Sequence, residues 1–167
     1  MAICNRVKII SDSTCDLSPE LIAKYDIDIL PLHILLGENE YEDGKNIAPD
    51  QIYAWSDEHK TTPKTSAPSL EAAIELFRPY VKERREVVCF SISSSMSTSG
   101  NVMRLAAEEL EASDLITVVD SASLSTGIGL LVIEAAIMAE NHCSAKEIFS
   151  AIETLKPKVR ASFVVDT

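Results

Sequence analysis

Glycine is scarce in this chain, with five residues in 167. That scarcity removes several chemistries at once, because each needs glycines at fixed spacing. No G-x-x-x-x-G-K-[S/T] loop is present, so there is no Walker-type phosphate cradle. Gly127-Ile128-Gly129 is followed by no third glycine and falls inside a helical pattern. It reads as a helix-packing feature rather than a dinucleotide fingerprint. No G-x-S-x-G nucleophile elbow occurs. Cysteine is limited to Cys4, Cys15, Cys89 and Cys143, with no C-x-x-C and no pair at metal-ligand spacing. These read as reduced, mostly buried thiols of a cytoplasmic protein. His33, His59 and His142 are scattered, so neither a metal nor a cofactor is expected. Basic residues are outnumbered, 15 Lys and Arg against 26 Asp and Glu, for a net charge of −11. Such a surface repels phosphate backbones and anionic headgroups, which argues against nucleic acid and against basic-patch membrane docking. Long apolar runs are missing too. Residues 124–139 form the most apolar stretch, but it contains Glu134 and falls short of the ~20 residues of a spanning helix, so no stable membrane insertion is expected. Residues 1–10 carry Asn5, Arg6 and Lys8 without an apolar core, unlike a signal peptide. Aromatics are only 5%, which leaves the core to Ile, Leu, Val and Ala.

What is present is an ordinary globular composition, 46% hydrophobic and 25% charged, at a length suited to one domain. Strand and helix patterns alternate along it. Residues 6–10 read as a first strand running into Ser11-Asp12-Ser13-Thr14. Ser18-Pro19-Glu20 opens a helix with an N-cap, a first-turn proline and an acid on the positive helix end. Residues 28–35 read as one strand, turned back at Gly37-Glu38-Asn39 into a short hairpin. Helices follow at 50–59 and after Ser69, separated by a polar loop over 60–68. Residues 86–92 and 115–119 read as buried parallel strands, with a helix over 101–110 between them. Residues 124–140 read as a buried helix, Ser144 to Glu147 as a capping box opening the last helix, and 163–165 as a final strand. The order predicts an α/β fold: a mainly parallel sheet with helices on both faces. The end at Asp166-Thr167, directly after a strand, suggests a cut or truncated product.

Ligands of such sheets sit beyond the carboxyl ends of the strands. Those ends share hydroxyl-rich loops here: 11–14, 93–99, 120–123, with 64–69 beside them. Hydroxyls and free N–H groups at helix N-termini suit an anion without any fixed cation. Ser and Thr are also ordinary caps and turn residues, so each loop alone has a structural explanation. Asp12 and Asp120 both follow strands and stand as a candidate carboxylate pair or as simple caps.

Several segments, taken in order, resemble the DegV family. Ile10-Ser11-Asp12-Ser13-Thr14-Cys15-Asp16-Leu17 is similar to its opening I-x-D-S-T-x-D-L. Asp28-Ile29-Leu30-Pro31-Leu32 followed by Tyr41-Glu42-Asp43 resembles V-x-P-L…Y-x-D. Thr65-Ser66-Ala67-Pro68-Ser69 resembles T-S-Q-P-S, and Ser93 to Ser99 resembles S-S-x-L-S-G-T. Val119-Asp120-Ser121 is similar to V-D-S, and 163–167 to the segment leading into a second domain. Thr98 stands where the family usually has Gly, and Ser99-Gly100-Asn101 where it has T-Y-Q.

The resemblance implies that residues 1–167 are the N-terminal α/β domain of a two-domain DegV-like protein, the C-terminal domain being absent. It implies a non-enzymatic lipid-binding protein that takes one long-chain fatty acid and presents the carboxylate to the catalytic subunit of a fatty acid kinase. Matched by position, Thr65 and Ser97 would bind the carboxylate with Ser66 and Ser94 close by, and Ser13, Asp12 and Ser121 would support them. Two other classes stay open on the residues alone. One is a small-molecule enzyme using Asp12 or Asp120 with the serine loops, for phosphoryl transfer or hydrolysis. The other is a structural domain without a ligand.

Overall fold

A computed structural model of the chain describes residues 6–162. Its main sheet holds β1 (Lys8–Asp12), β2 (Asp28–Leu30), β6 (Val87–Ser91) and β7 (Ile116–Asp120), all parallel, in the order β2-β1-β6-β7. β1 and β6 are central and buried along their whole length, as the apolar run of β6 predicts. Period-two alternation sends their side chains to two separate cores. Ile9, Val88, Phe90 and Val119 face helices α5 (Thr126–Glu140) and α6 (Ala145–Leu155), with Leu17 and Ile22 of the α1 (Pro19–Lys24) region at the margin. Ile10, Leu30, Val87, Cys89 and Ile116 face α3 (Leu70–Lys82) and α4 (Ser99–Glu109), where Phe77 and Met103 are fully buried. The architecture is the α/β fold expected, a parallel sheet covered on both faces.

α5 packs unusually close to the end of β1. A Cβ at Gly129 would stand 2.7 Å from the carbonyl oxygen of Cys15 and 2.9 Å from Leu17. The glycine is therefore a packing device, in agreement with the reading of Gly127-Ile128-Gly129. α5 begins at Thr126, because Leu124 and Ser125 still belong to the turn after β7. Its outward side shows Leu130 and Ile137 to solvent, so the helix is buried on one side only.

Three expectations need correcting. Residues 28–35 are not one strand. Pro31 has no N–H to donate, and Leu32 turns its own N–H to Ser13 Oγ at 3.1 Å. The chain breaks there into β2 and β3 (His33–Leu36), and β3 joins a second, antiparallel sheet between β4 (Asn39–Glu42) and β5 (Lys64–Ser66). The 60–68 segment is not all loop: Lys64–Ser66 forms β5, pairing Ile34 with Thr65 and His33 with Ser66. Among the described residues β7 stands at one edge of the main sheet, and its Thr117 and Val118 are half-buried. The small sheet, with β4 (Asn39–Glu42), closes over its own core of Ile34, Leu36 and Ile47 against Trp55 of α2 (Pro49–His59). The strand expected at 163–165 lies outside the described residues.

The amino ends of the strands carry a buried cation. Lys8 is 3% exposed; its Nζ donates to the Asp26 carbonyl at 2.7 Å and pairs with Asp26 at 3.0 Å and Asp28 at 2.9 Å. Tyr80 donates to the other oxygen of Asp28 at 2.5 Å.

Candidate ligand-binding site

The strand order reverses between β1 and β6, since β2 lies on one side of β1 and β6 on the other. That switch point leaves a crevice beyond the carboxyl ends, the usual ligand position in open α/β sheets. A cavity of ≈ 550 Å³ occupies it, within the range of small-molecule sites. Thr65 and Ser66 of β5 reach it from the small sheet, and Ser97 and Thr98 from the start of α4. Leu32, Ile34, Ile92 and Met96 supply apolar walls, while Thr14 and Asp43 complete the polar part. Among the described residues no Lys, Arg or His lines it. Thr65 and Ser66 are exposed and Ser97 half-buried, so their hydroxyls are accessible. The positive end of the α4 dipole lies at Thr98.

The expected residues divide on this geometry. Thr65 and Ser66 of β5 come together in one cavity with Ser97, although Ser66 and Ser97 are 31 positions apart in the chain (97 − 66 = 31). Ser94 does not line it. Its loop is exposed, and its N–H donates to Asp120 Oδ1 at 3.2 Å. Ser13 lines a neighbouring cavity and braces Leu32. Ser121 is buried and closes a tight turn with Ser123 by two bonds of 3.2 Å. Thr98 adopts φ −90°, a conformation open to any residue, so the loop tolerates Thr where the resembled motif has Gly. Leu32, Ile34, Asp43 and Ile92 lie outside the loops that the sequence marks, and Thr14 and Met96 lie within them without an assigned role. Only tertiary pairing of β3 with β5 and of β1 with β6 carries them there.

The two aspartates differ. Asp12 is fully buried and accepts three hydrogen bonds: from Thr14 Oγ1 at 2.5 Å, Ile92 N–H at 2.8 Å and Ser99 Oγ at 2.9 Å. Burial raises its carboxyl above the ordinary aspartate value despite those donors. Asp120 is half-buried. Partial burial pushes it up, but the bonds from Ser94 and Ala122, with Lys156 nearby, outweigh that and hold it low. Cys15 and Cys89 are buried free thiols, and burial pushes both upward, away from reactive thiolate. Among the described residues no helix is long and apolar enough to cross a membrane.

The DegV family model, described as an uncharacterised protein family, matches residues 6–167. A DegV domain-containing protein of Clostridium perfringens is 34% identical over 163 residues, covering 98% of this chain and 58% of that relative. A DegV family protein of Thermus thermophilus, described by its fatty acid binding, superposes with a TM-score of 0.83 at 30% identity, over 91% of this chain and 54% of the other. A stearic-acid-binding protein of Eubacterium ventriosum superposes with a TM-score of 0.81 at 36% identity, over 88% and 52%. The chain thus spans a little over half the length of the relatives it matches. Sequence motifs, sheet topology and these similarities agree, and the chain belongs to the DegV family.

Proposed function

We propose that this chain binds a long-chain fatty acid, with the carboxylate held by Thr65, Ser66 and Ser97 and the first methylenes laid against Leu32, Ile34, Ile92 and Met96. The observation that carries this is the meeting of three hydroxyls, none of which donates to a described residue, with apolar side chains in a single cavity at the switch point. Three hydroxyl donors and a helix N-terminus suit a monoanion. The apolar walls suit an acyl chain and give nothing to a small polar metabolite. Ser94 serves the shape of the loop through Asp120 rather than the ligand. Relatives with 30% and 36% identity that are described as fatty-acid- or stearic-acid-binding support the same reading.

The carboxylate would lie at the rim, beside the exposed Met96 and Thr98, where a second protein has access. The proposed role is to present it to a separate kinase subunit for acyl-phosphate formation, the phosphate-binding loop being supplied by that partner. Hydrolytic or phosphoryl-transfer chemistry within the chain is not favoured. Asp12 is enclosed by three donors, and Asp120 is engaged by Ser94 and Ala122.

Native mass spectrometry of the chain purified from bacteria tests the reading. The expected result is an adduct of one fatty acid that denaturation releases. A folded chain that carries no adduct and gives no binding signal with oleate or palmitate would rule it out.

A further inference from the structure

Asp12 closes β1 out of reach of solvent, yet it touches three segments that line the cavity. Its Oδ1 accepts from Thr14 Oγ1, and its Oδ2 accepts from the N–H of Ile92 and from Ser99 Oγ. A carboxylate only accepts, and a hydroxyl has one proton. Thr14 and Ser99 therefore both commit their protons to Asp12. The N–H of Ser99 donates in turn to Ser97 Oγ at 3.2 Å. Ser97 is thereby an acceptor inside the protein, and its own proton is free for the cavity. Thr14 is the reverse: toward the cavity it has lone pairs and no proton to give.

We infer that Asp12 is a positioning residue that sets the hydrogen-bond polarity on one side of the cavity, holding Thr14 as an acceptor, and that it anchors Ser99, whose backbone N–H meets Ser97 Oγ. A ligand carboxylate is itself acceptor-only, so it is matched at Ser97 and mismatched at Thr14. Asp12 steers the head group to the side of Ser97 and Thr65. This deepens the fatty-acid reading and rests on it for the identity of the ligand.

The replacement Asp12→Asn reverses one arm of the arrangement. Oδ2 takes two donors, the Ile92 N–H and Ser99 Oγ, and Oδ1 faces Thr14, so the new carbonyl takes the place of Oδ2. The amide NH₂ then faces Thr14, whose hydroxyl becomes the acceptor and turns its proton to the cavity. A merely structural aspartate would lose affinity or leave it unchanged on this substitution. A polarity-setting one gains a donor.

Calorimetric titration with oleate should show Asp12→Asn binding roughly ten-fold tighter, one added hydrogen bond to a charged group. In a Thr14→Val background the Asp12→Asn replacement should give no such gain. A gain that survives in the double variant would come from removing a negative charge and would overturn the inference, as would no gain in Asp12→Asn. A ligand-free measurement separates this from the fatty-acid reading. In NMR spectra the Thr14 and Ser99 hydroxyl protons should be protected from exchange in the wild type. Asp12→Asn should lose protection at Thr14 only, with the Ile92 amide still hydrogen-bonded. A freely exchanging Thr14 hydroxyl in the wild type overturns the inference whatever binding does. If the NMR pattern holds while neither protein binds oleate, the polarity assignment stands and the fatty-acid reading falls.

Discussion

Thr65→Ala and Ser97→Ala remove one hydroxyl each from the same cavity, but they should not behave alike. Thr65 lies on the exposed edge strand β5, and its hydroxyl makes no hydrogen bond with any described residue. Truncation there costs the fold a few tenths of a kcal/mol in strand preference. Ser97 accepts the Ser99 N–H in the turn that leads into α4, so its loss also leaves that N–H without its partner, at about 1 kcal/mol. For a chain of this size that is roughly 2–4 °C in Tm. In binding, either hydroxyl contributes a bond to a charged carboxylate, about 1.5–3 kcal/mol, or roughly ten- to hundred-fold in Kd. The expected pattern is therefore a selective affinity loss in Thr65→Ala and a joint loss of affinity and stability in Ser97→Ala. Calorimetric titration with palmitate beside a melting curve reads both. Wild-type affinity in a fully folded Thr65→Ala would refute the head-group assignment. A melting temperature lowered as far in Thr65→Ala as in Ser97→Ala would show that Thr65 acts in the fold instead.

Lys8→Met should destabilise the chain by about 3 kcal/mol, because it leaves Asp28 half-buried without its cation while the exposed Asp26 rehydrates. Ligand affinity should not change, since this network lies at the opposite ends of the strands; a loss below about 1 kcal/mol in denaturant titration contradicts the ion-pair argument. Gly129→Ala should lower Tm, the reverse of an exposed helical glycine, because the clash with the Cys15 carbonyl at about 1–3 kcal/mol exceeds the ~1 kcal/mol of helix propensity gained. An unchanged or higher melting temperature would show that α5 can move away from the β1 turn. The acid limb of stability should respond oppositely to Asp12→Asn and Asp120→Asn. Asp12 has a raised folded value, so its contribution is greatest below the ordinary aspartate value and falls as pH rises through the raised one. Asp120 has a lowered value, so its contribution is present above the ordinary value and is lost as pH falls. Denaturant titrations across that range that change slope in the same direction for both variants would refute the assignment.

Much of this was legible locally. A strand apolar on both faces must be buried on both, so Val87 to Ser91 could only be central in a covered sheet. Capping chemistry acts over three residues, and it correctly started helices at Ser18, Ser69 and Ser144. The break at Pro31-Leu32 was not legible, because what ends β2 is a hydrogen bond from Leu32 to Ser13, 19 residues earlier. β5 was missed for a similar reason: Lys64-Thr65-Ser66 buries no side chain and is held by backbone pairing to β3, which leaves no hydrophobic period to read.

The site divides along the same line. Local composition was enough to mark hydroxyl-rich loops at the strand ends, because that signal depends on residue type and short spacing. Tertiary structure alone decided which hydroxyls share a cavity, placing Thr65, Ser66 and Ser97 together and turning Ser94 toward Asp120. It also decided that Asp12 is enclosed rather than exposed. Strand order and pairing across 80 or more residues bring Ile92 and Ser99 to its carboxylate, and the direction of a hydroxyl proton depends on that neighbour rather than on the residue that carries it.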